Sequence, residues 1–324
     1  MKQARSRKRL DLVYVFILIL IGLIALLMLY PFLYIISVSL SDYRYVSQVT
    51  FFPIGLNFDA YQYIFQLKNV QSGYLNTIIY TAVGLAINMV MTVLCAYPLS
   101  KKRLPGRRFF NILVLITMYF SAGLIPSYLL VTNYLHINNT IWALVLPGAI
   151  GTWNMIVLRI YFISSIPSEI EESCRIDGAS ELQMLLQIYL PLSLPILVTI
   201  GLFYFVGLWN SWFPASLYLD NAEDWPIQLV LKNVMSTQGA SLLSGQSGTI
   251  AVGQMGKSNS RTDVNSLNNA LTLAVALPII LIYPFCQKFF IDLWQISTTW
   301  QKRQMYPSAR FLMFLTGNVP LVKK

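Results

Sequence analysis

The sequence predicts an all-α membrane protein: six transmembrane helices, with a structured cytoplasmic hairpin between the fourth and the fifth. Three observations lead there. The 324 residues are 56% hydrophobic and only 11% charged, where a soluble domain carries about 25% charged residues. So few charges cannot cover a globule of this size in water. Apolar runs long enough to cross a hydrocarbon core of about 30 Å recur along the chain, and lysines and arginines are divided unevenly among the links between them. The cysteines Cys95, Cys174 and Cys286 form no CxxC or Cys/His cluster, which argues against a disulfide scaffold or zinc site. His136 is the lone histidine, leaving no His-based metal site and no Ser-His-Asp triad.

The six runs are Val13 to Ser39, Leu75 to Leu99, Phe109 to Val131, Ile141 to Phe162, Leu194 to Phe213, and Ala270 to Phe290. They divide the chain into a basic N-terminus (1–12), a membrane domain (13–293) and a tail (294–324). Five basic residues precede the first run, and Lys101, Lys102, Arg103, Arg107 and Arg108 fill the link after the second. In all, 18 of the 23 lysines and arginines fall on one face. By the positive-inside rule that face is cytoplasmic, and so are both termini. The formal charge of +10 is therefore a topology signal, with no call on nucleic acid as a partner. The N-terminus has the charge of a signal peptide, but its apolar run is too long and no A-x-A site follows, so it reads as a retained first helix. Arg159, near the cytoplasmic end of the fourth run, is expected to snorkel. Pro31, Pro126, Pro147, Pro195, Pro278 and Pro284 interrupt the runs. Kinks of that kind suit a bundle around a pathway, although proline is also simply common in membrane helices.

The link 164–191 does not match its neighbours. It carries Glu169, Glu171, Glu172, Asp177 and Glu181 against Arg175 alone, with no basic or metal-ligand partner evident in the sequence. Ser168-x-x-Glu171 and Ser180-x-x-Gln183 each have capping-box spacing, predicting two helix starts. Asp177-Gly178 predicts the end of the first helix, where glycine accepts positive φ. The second helix, Glu181 to Leu190, should carry Leu182, Leu185, Leu186 and Leu190 on one stripe and stop at Pro191. An amphipathic hairpin resting on the membrane is disfavoured, because the cytoplasmic leaflet is itself negative. A docking surface for another subunit is the better reading.

Glu172-Ser173-Cys174, three residues, Gly178, nine residues and then Ile188-x-Leu190-Pro191 resembles the EAA loop of binding-protein-dependent ABC importer permeases. Ser173 and Cys174 stand where alanines are usual, and both are small. The resemblance extends over about Leu12 to Phe290. Gly123-Leu124-Ile125-Pro126, Trp142-Ala143-Leu144 and Trp209-Asn210 are most similar to the sugar-importing, maltose-permease-like branch. It implies one of two permease subunits, a heterodimer with a second permease. It also implies two ATP-binding subunits that hold ATP and Mg, an extracytoplasmic solute-binding protein and an oligosaccharide cargo. Glu171, Glu172, Ser173 and Arg175 would meet the ATPase; Asp177 and Gly178 would form the turn; Ile188, Leu190 and Pro191 would tie the hairpin to the fifth span. The cargo by this resemblance is an oligosaccharide, with an alginate-type uronic-acid oligomer as one candidate.

No GxxxxGK[ST] occurs, so this chain is not expected to cradle ATP, nor to bind a cofactor or metal, nor to act as an enzyme itself. No intramembrane acids pair up for proton-driven transport. The competing readings are a permease for a non-sugar solute and, from another class, a membrane-bound glycosyl- or lipid-modifying enzyme. The outward segment 217–268, rich in glycine and small polar residues, either reaches toward the binding protein or is a plain surface loop. Asn88, Tyr119, Trp153, Asn154, Trp209, Asn210 and Trp212 are candidates to line the pathway, since sugars stack on aromatic rings and bond to amides. Interface anchoring and helix-to-helix hydrogen bonding are the alternative uses of the same residues. The tail 294–324 continues past the length usual for the family, and no physical account of it emerges from the sequence.

Overall fold

A computed structural model describes residues 12–42, 45, 48, 51–244 and 265–288. The described residues are helical, apart from turns and an isolated bridge between Ser41 and Leu56. Three helices are long and apolar enough to cross a membrane unaided. These are α1 (Leu12–Ser39), α3 (Lys68–Ser100) and α14 (Asn265–Lys288), with the short α2 (Asp59–Gln66) between the first two. Three further candidates are pairs of shorter helices, each bent at a break.

The chain divides into two compact units, 1–72 with 230–277 and 73–229 with 278–324. In the first, α1 is apolar on every side, and its most hydrophobic window buries nothing against the protein. A helix of that kind needs an apolar solvent, which lipid supplies. Its C-terminal end is held: the Tyr30 ring meets Phe51 edge-on, the Ser37 hydroxyl donates to Phe51 O (2.6 Å), the Ser41 hydroxyl donates to Ser37 O (2.6 Å), and Ser39 pairs with the Tyr61 hydroxyl (2.7 Å).

The second unit is built around α3, α7 (Thr152–Ser165) and α11 (Leu194–Trp209). Ala96, Tyr97, Met155, Leu158, Ile196 and Ile200 form its buried centre. Gly84 allows α11 to lie close, since a Cβ there would stand 2.9 Å from Leu208 Cδ2. The third expected span is α4 (Arg107–Tyr119) and α5 (Leu124–Leu129), the latter extended by a π turn over Leu130–Tyr134; the two halves bend by 112°. The break falls at Gly123, whose φ of +85° is open to glycine. The fourth is α6 (Ile141–Val145), a 3₁₀ turn over Leu146–Gly148 and then α7, bent by 48°.

Proline positions differ in part from expectation. Pro31 is interior to α1, but Pro195 sits in the first turn of α11 and Pro147 in the 3₁₀ turn. A first-turn proline gives up an N–H that has no helical partner anyway, so it starts a helix there instead of kinking one. Beyond α11 lie α12 (Trp212–Tyr218) and α13 (Ile227–Ser244). The expected fifth run is therefore interrupted at Asn210-Ser211 before reaching Phe213. Of the outward segment 217–268, residues 245–264 lie outside the described residues, as do positions 1–11 of the N-terminus and the tail 294–324.

Candidate functional site: a hairpin latched to the end of a span

The link after α7 folds as two short helices. α8 (Ser168–Ile176) follows Pro167 and ends in a Schellman turn. There Ala179 N–H donates to Cys174 O (2.9 Å), Gly178 N–H donates to Arg175 O (3.1 Å), and Gly178 adopts φ +78°. α9 (Glu181–Met184) starts on Ser180, with both halves of the Ser180/Gln183 capping box present. A π turn (Leu185–Tyr189) and α10 (Leu190–Leu192) then lead to α11, turned by 82° from the hairpin's second helix.

Three expectations are corrected here. Ser168 does not cap α8: Pro167 is the N-cap residue and makes no side-chain cap bond. The helix starts one residue earlier than expected, with Ile170 N–H donating to Pro167 O, so Ser168 lies inside the first turn and not at the cap. The leucine stripe is also displaced. Leu185 is buried together with Met184 and Tyr189, while Leu182 and Leu186, which share a face four residues apart, are exposed on the other side. Thirdly, two of the five acids, Glu171 and Glu181, do have basic partners.

Those partners form a closed cluster. Lys101, one residue beyond α3, donates to Glu171 Oε2 (3.0 Å) and to the Tyr189 hydroxyl (2.8 Å). Its Nζ lies 4.4 Å from the Tyr97 ring centroid and 3.9 Å from that of Tyr189. Tyr189 donates to the same Glu171 oxygen (3.1 Å), and Arg175 bridges Glu171 Oε1 (2.9 Å) and Glu181 Oε1 (2.6 Å). The Tyr97 hydroxyl donates to Glu181 Oε2 (2.7 Å) and closes the ring. Two cations meet two anions, with the Lys101 side chain only 9% exposed.

Burial lowers the Lys101 pKa below the ordinary lysine value, against the opposing pull of Glu171. For Glu171, burial acts to raise the pKa, but hydrogen bonds from Lys101, Arg175 and Tyr189 together outweigh it and hold the carboxyl below its usual range. Nearby, Arg159 Nε and Arg107 Nε both donate to Leu99 O (3.0 and 3.1 Å). Arg159 thus caps the end of α3, since unpaired carbonyls at a helix C-terminus attract cations.

A cleft of about 580 Å³ opens beside the cluster, with Lys102 and Arg103 facing Glu169 and Glu172. Glu172, Ser173, Asp177, Gly178 and Pro191 are exposed, whereas Ile188 and Leu190 pack against the buried centre. The hairpin therefore has a latched side and an open side. Glu171 and Arg175 belong to the first, and Glu172 and Gly178 to the second.

The pathway candidates do not share one environment. Asn88 is buried on α3 with its Oδ1 unpaired among the described residues, and Trp209 is buried against Phe205. Tyr119 and Trp153 are widely exposed, and Trp212 lies edge-on to Phe213. Asn154 is half-buried, and Asn210 accepts from Gln228 (2.8 Å).

The residues that sequence reasoning passed over are Lys101, Tyr97 and Tyr189 at the latch, and Thr92 and Tyr204 deeper in the unit. Lys101 was counted only as topology charge, and Tyr189 only as the variable position before Leu190-Pro191. Five basic residues over 101–108, facing an acidic run on the same side of the membrane, were the available signal.

Residues 88–286 match the family described as binding-protein-dependent transport system inner membrane component. The chain belongs to that family. It is 38% identical over 268 residues to the polygalacturonan/rhamnogalacturonan transport system permease protein YtcP of Bacillus subtilis, covering 82% of this chain and 90% of that one. Protein LplC of the same organism is 37% identical over 262 residues, covering 80% and 85%. Among solved structures, the fold is similar to a chain of a bacterial ABC transporter involved in the import of the acidic polysaccharide alginate. That match has a TM-score of 0.75 and 31% identity, covering 90% of this chain and 99% of that one.

Proposed function

We propose that this chain is one permease subunit of an ABC importer that carries oligosaccharide fragments of an acidic polysaccharide into the cytoplasm. The carrying observation is the two-sided hairpin, in a chain 31% identical to a subunit of an alginate importer. In this reading the two pairs that bend near Gly123 and Gly151 each count as one span and α11 crosses without the hairpin, giving six crossings with α1, α3 and α14, with both termini cytoplasmic as the basic residues require. The exposed side of the hairpin, with Glu172, Ser173 and the Gly178 turn, seats in an ATP-hydrolysing subunit. A compact turn with no side chain at Gly178 permits close approach, and the Schellman bonds keep it stiff. ATP and Mg are held by two such subunits, and a second permease completes the pathway. An extracytoplasmic solute-binding protein delivers the cargo.

Uronic-acid oligomers are the favoured cargo, because relatives named for polygalacturonan/rhamnogalacturonan and for alginate both handle acidic chains. Asn88 and Trp209 are the pathway residues best supported by polar groups at buried positions, and Asn210 is an exposed candidate beside them.

Purification of the tagged chain from its host in mild detergent tests the assembly. Recovery of an ATPase and a second permease supports this reading, and a clean monomer under conditions that preserve related complexes sinks it. Uptake by the reconstituted complex of oligogalacturonides, alginate oligomers and neutral maltodextrins then identifies the cargo class.

A further inference from the structure

The docking reading assigns the open side of the hairpin to the ATPase and leaves the latched side without a task. An ATPase that moves the hairpin moves substrate only if the hairpin moves the spans. The two are joined covalently through α7 and α11, but α3 is linked to the hairpin by side chains alone. Glu171 lies 70 residues from Lys101, and Glu181 lies 84 from Tyr97. A joint of apolar contacts lets side chains slide past one another. Directional bonds between buried charges permit one pose, because each displaced partner is left unsatisfied.

We infer that Lys101 is a positioning residue for transport: it locks the hairpin to the end of α3, so that hairpin and helix move as one body. The proposal rests on the docking reading above. Its geometry is specific. Lys101 is held at once by a carboxylate, a hydroxyl and two aromatic faces, drawn from α3, α8 and the π turn. Leu99 O, two residues before it, is fastened by Arg107 from α4 and Arg159 from α7. Five elements therefore meet within three residues of the chain.

The test uses the complete importer in proteoliposomes. Lys101→Met is expected to keep subunit composition and to leave basal ATP hydrolysis within about twofold, while uptake per ATP falls tenfold or more. Lys101→Arg, which keeps the charge and can stack between the rings, is expected to recover at least a third of that ratio. Spin labels at Arg103→Cys and Ile176→Cys, in a background without Cys95, Cys174 and Cys286, should give one narrow distance in the parent protein and a broad one with Lys101→Met. A loss of fold alone would lower both activities together and would not alter the ratio of uptake to hydrolysis.

An unchanged ratio with Lys101→Met overturns the positioning role. If that variant does not assemble, Glu171→Gln combined with Tyr189→Phe removes the ion pair and the hydroxyl bonds that hold Lys101, and an unchanged ratio there overturns it equally. Glu172→Lys and Gly178→Leu separate the two levels. Their normal assembly and uptake would refute docking itself, whereas their loss alongside a normal Lys101→Met would remove the latch and leave docking standing.

Discussion

Two places in the unit formed by 73–229 and 278–324 fasten an irregular backbone to α3, and they use different chemistry. At Thr92 the fastening is neutral. The Tyr204 hydroxyl, carried by α11, pairs with the Thr92 hydroxyl (2.7 Å) and accepts from Gly151 N–H (2.8 Å), at the break between the two halves of the bent 141–165 segment. At Lys101, just past the end of α3, the fastening is ionic, with two cations and two anions. A broken helix at membrane depth frees N–H groups that only protein can satisfy, and a hydroxyl does so with little desolvation. A charge in that position would need a partner and a far larger gain to offset leaving water. At the helix end, solvent and a cleft are close, and charge becomes affordable and specific. The same helix is thus gripped by neutral hydroxyl bonds along its apolar length and by ionic ones at its polar end.

The largest expected effect falls on the ionic grip. Glu171→Gln leaves a buried lysine without its carboxylate, and truncating one partner of a buried pair costs on the order of 3 kcal/mol. A fall in thermal unfolding temperature in detergent would register it. No fall would show that Glu181 and the tyrosines suffice. Next is Tyr204→Phe, which orphans Gly151 N–H; an unsatisfied buried donor costs about 1–3 kcal/mol. The comparison sharpens if this loss is independent of pH while the Lys101 site responds to it. Glu171 has a lowered pKa, so its contribution is complete above the ordinary carboxylate range and is lost as pH falls through the lowered value. Thermal stability should decline less steeply on acidification in Glu171→Gln than in the parent chain. Smaller still is Gly84→Ala, expected to cost about 1 kcal/mol because the flexible end of Leu208 must yield. Ser180→Ala, which removes the cap of α9, should also cost about 1 kcal/mol, read by the same unfolding measurement.

What the sequence made legible follows from which forces are local. The run Val13 to Ser39 agrees with α1 to within a residue, since uniform apolarity over that length is a property of the segment alone. Ser180 and Gln183 cap as their spacing requires, and Gly178 takes the conformation expected of it. Ser168 and Glu171 have the same spacing and do not cap. The helix starts one residue earlier, on Pro167, and Glu171 pairs instead with Lys101, distant in sequence. The breaks near Gly123 and Gly151 are signalled by Pro126 and Pro147 close by, but apolar content alone records that a segment enters lipid and not how sharply its backbone turns. Tyr204 carried no signal at all, being one aromatic residue in an apolar run.

The π turn at Leu185–Tyr189 gives the motif's spacing an angular meaning. Nine residues separate Gly178 from Ile188, and one of them is the surplus that the wider turn absorbs. Each residue of an ordinary helix advances the azimuth by about 100°. A hairpin one residue shorter could wind regularly throughout and still bring the following residues to the same azimuth, whereas the full interval wound as a regular helix would carry Tyr189 about a quarter-circle away from Lys101. The interval works as a clock setting: its length fixes the hour at which the tyrosine and the proline step that follows it come round to face the rest of the molecule.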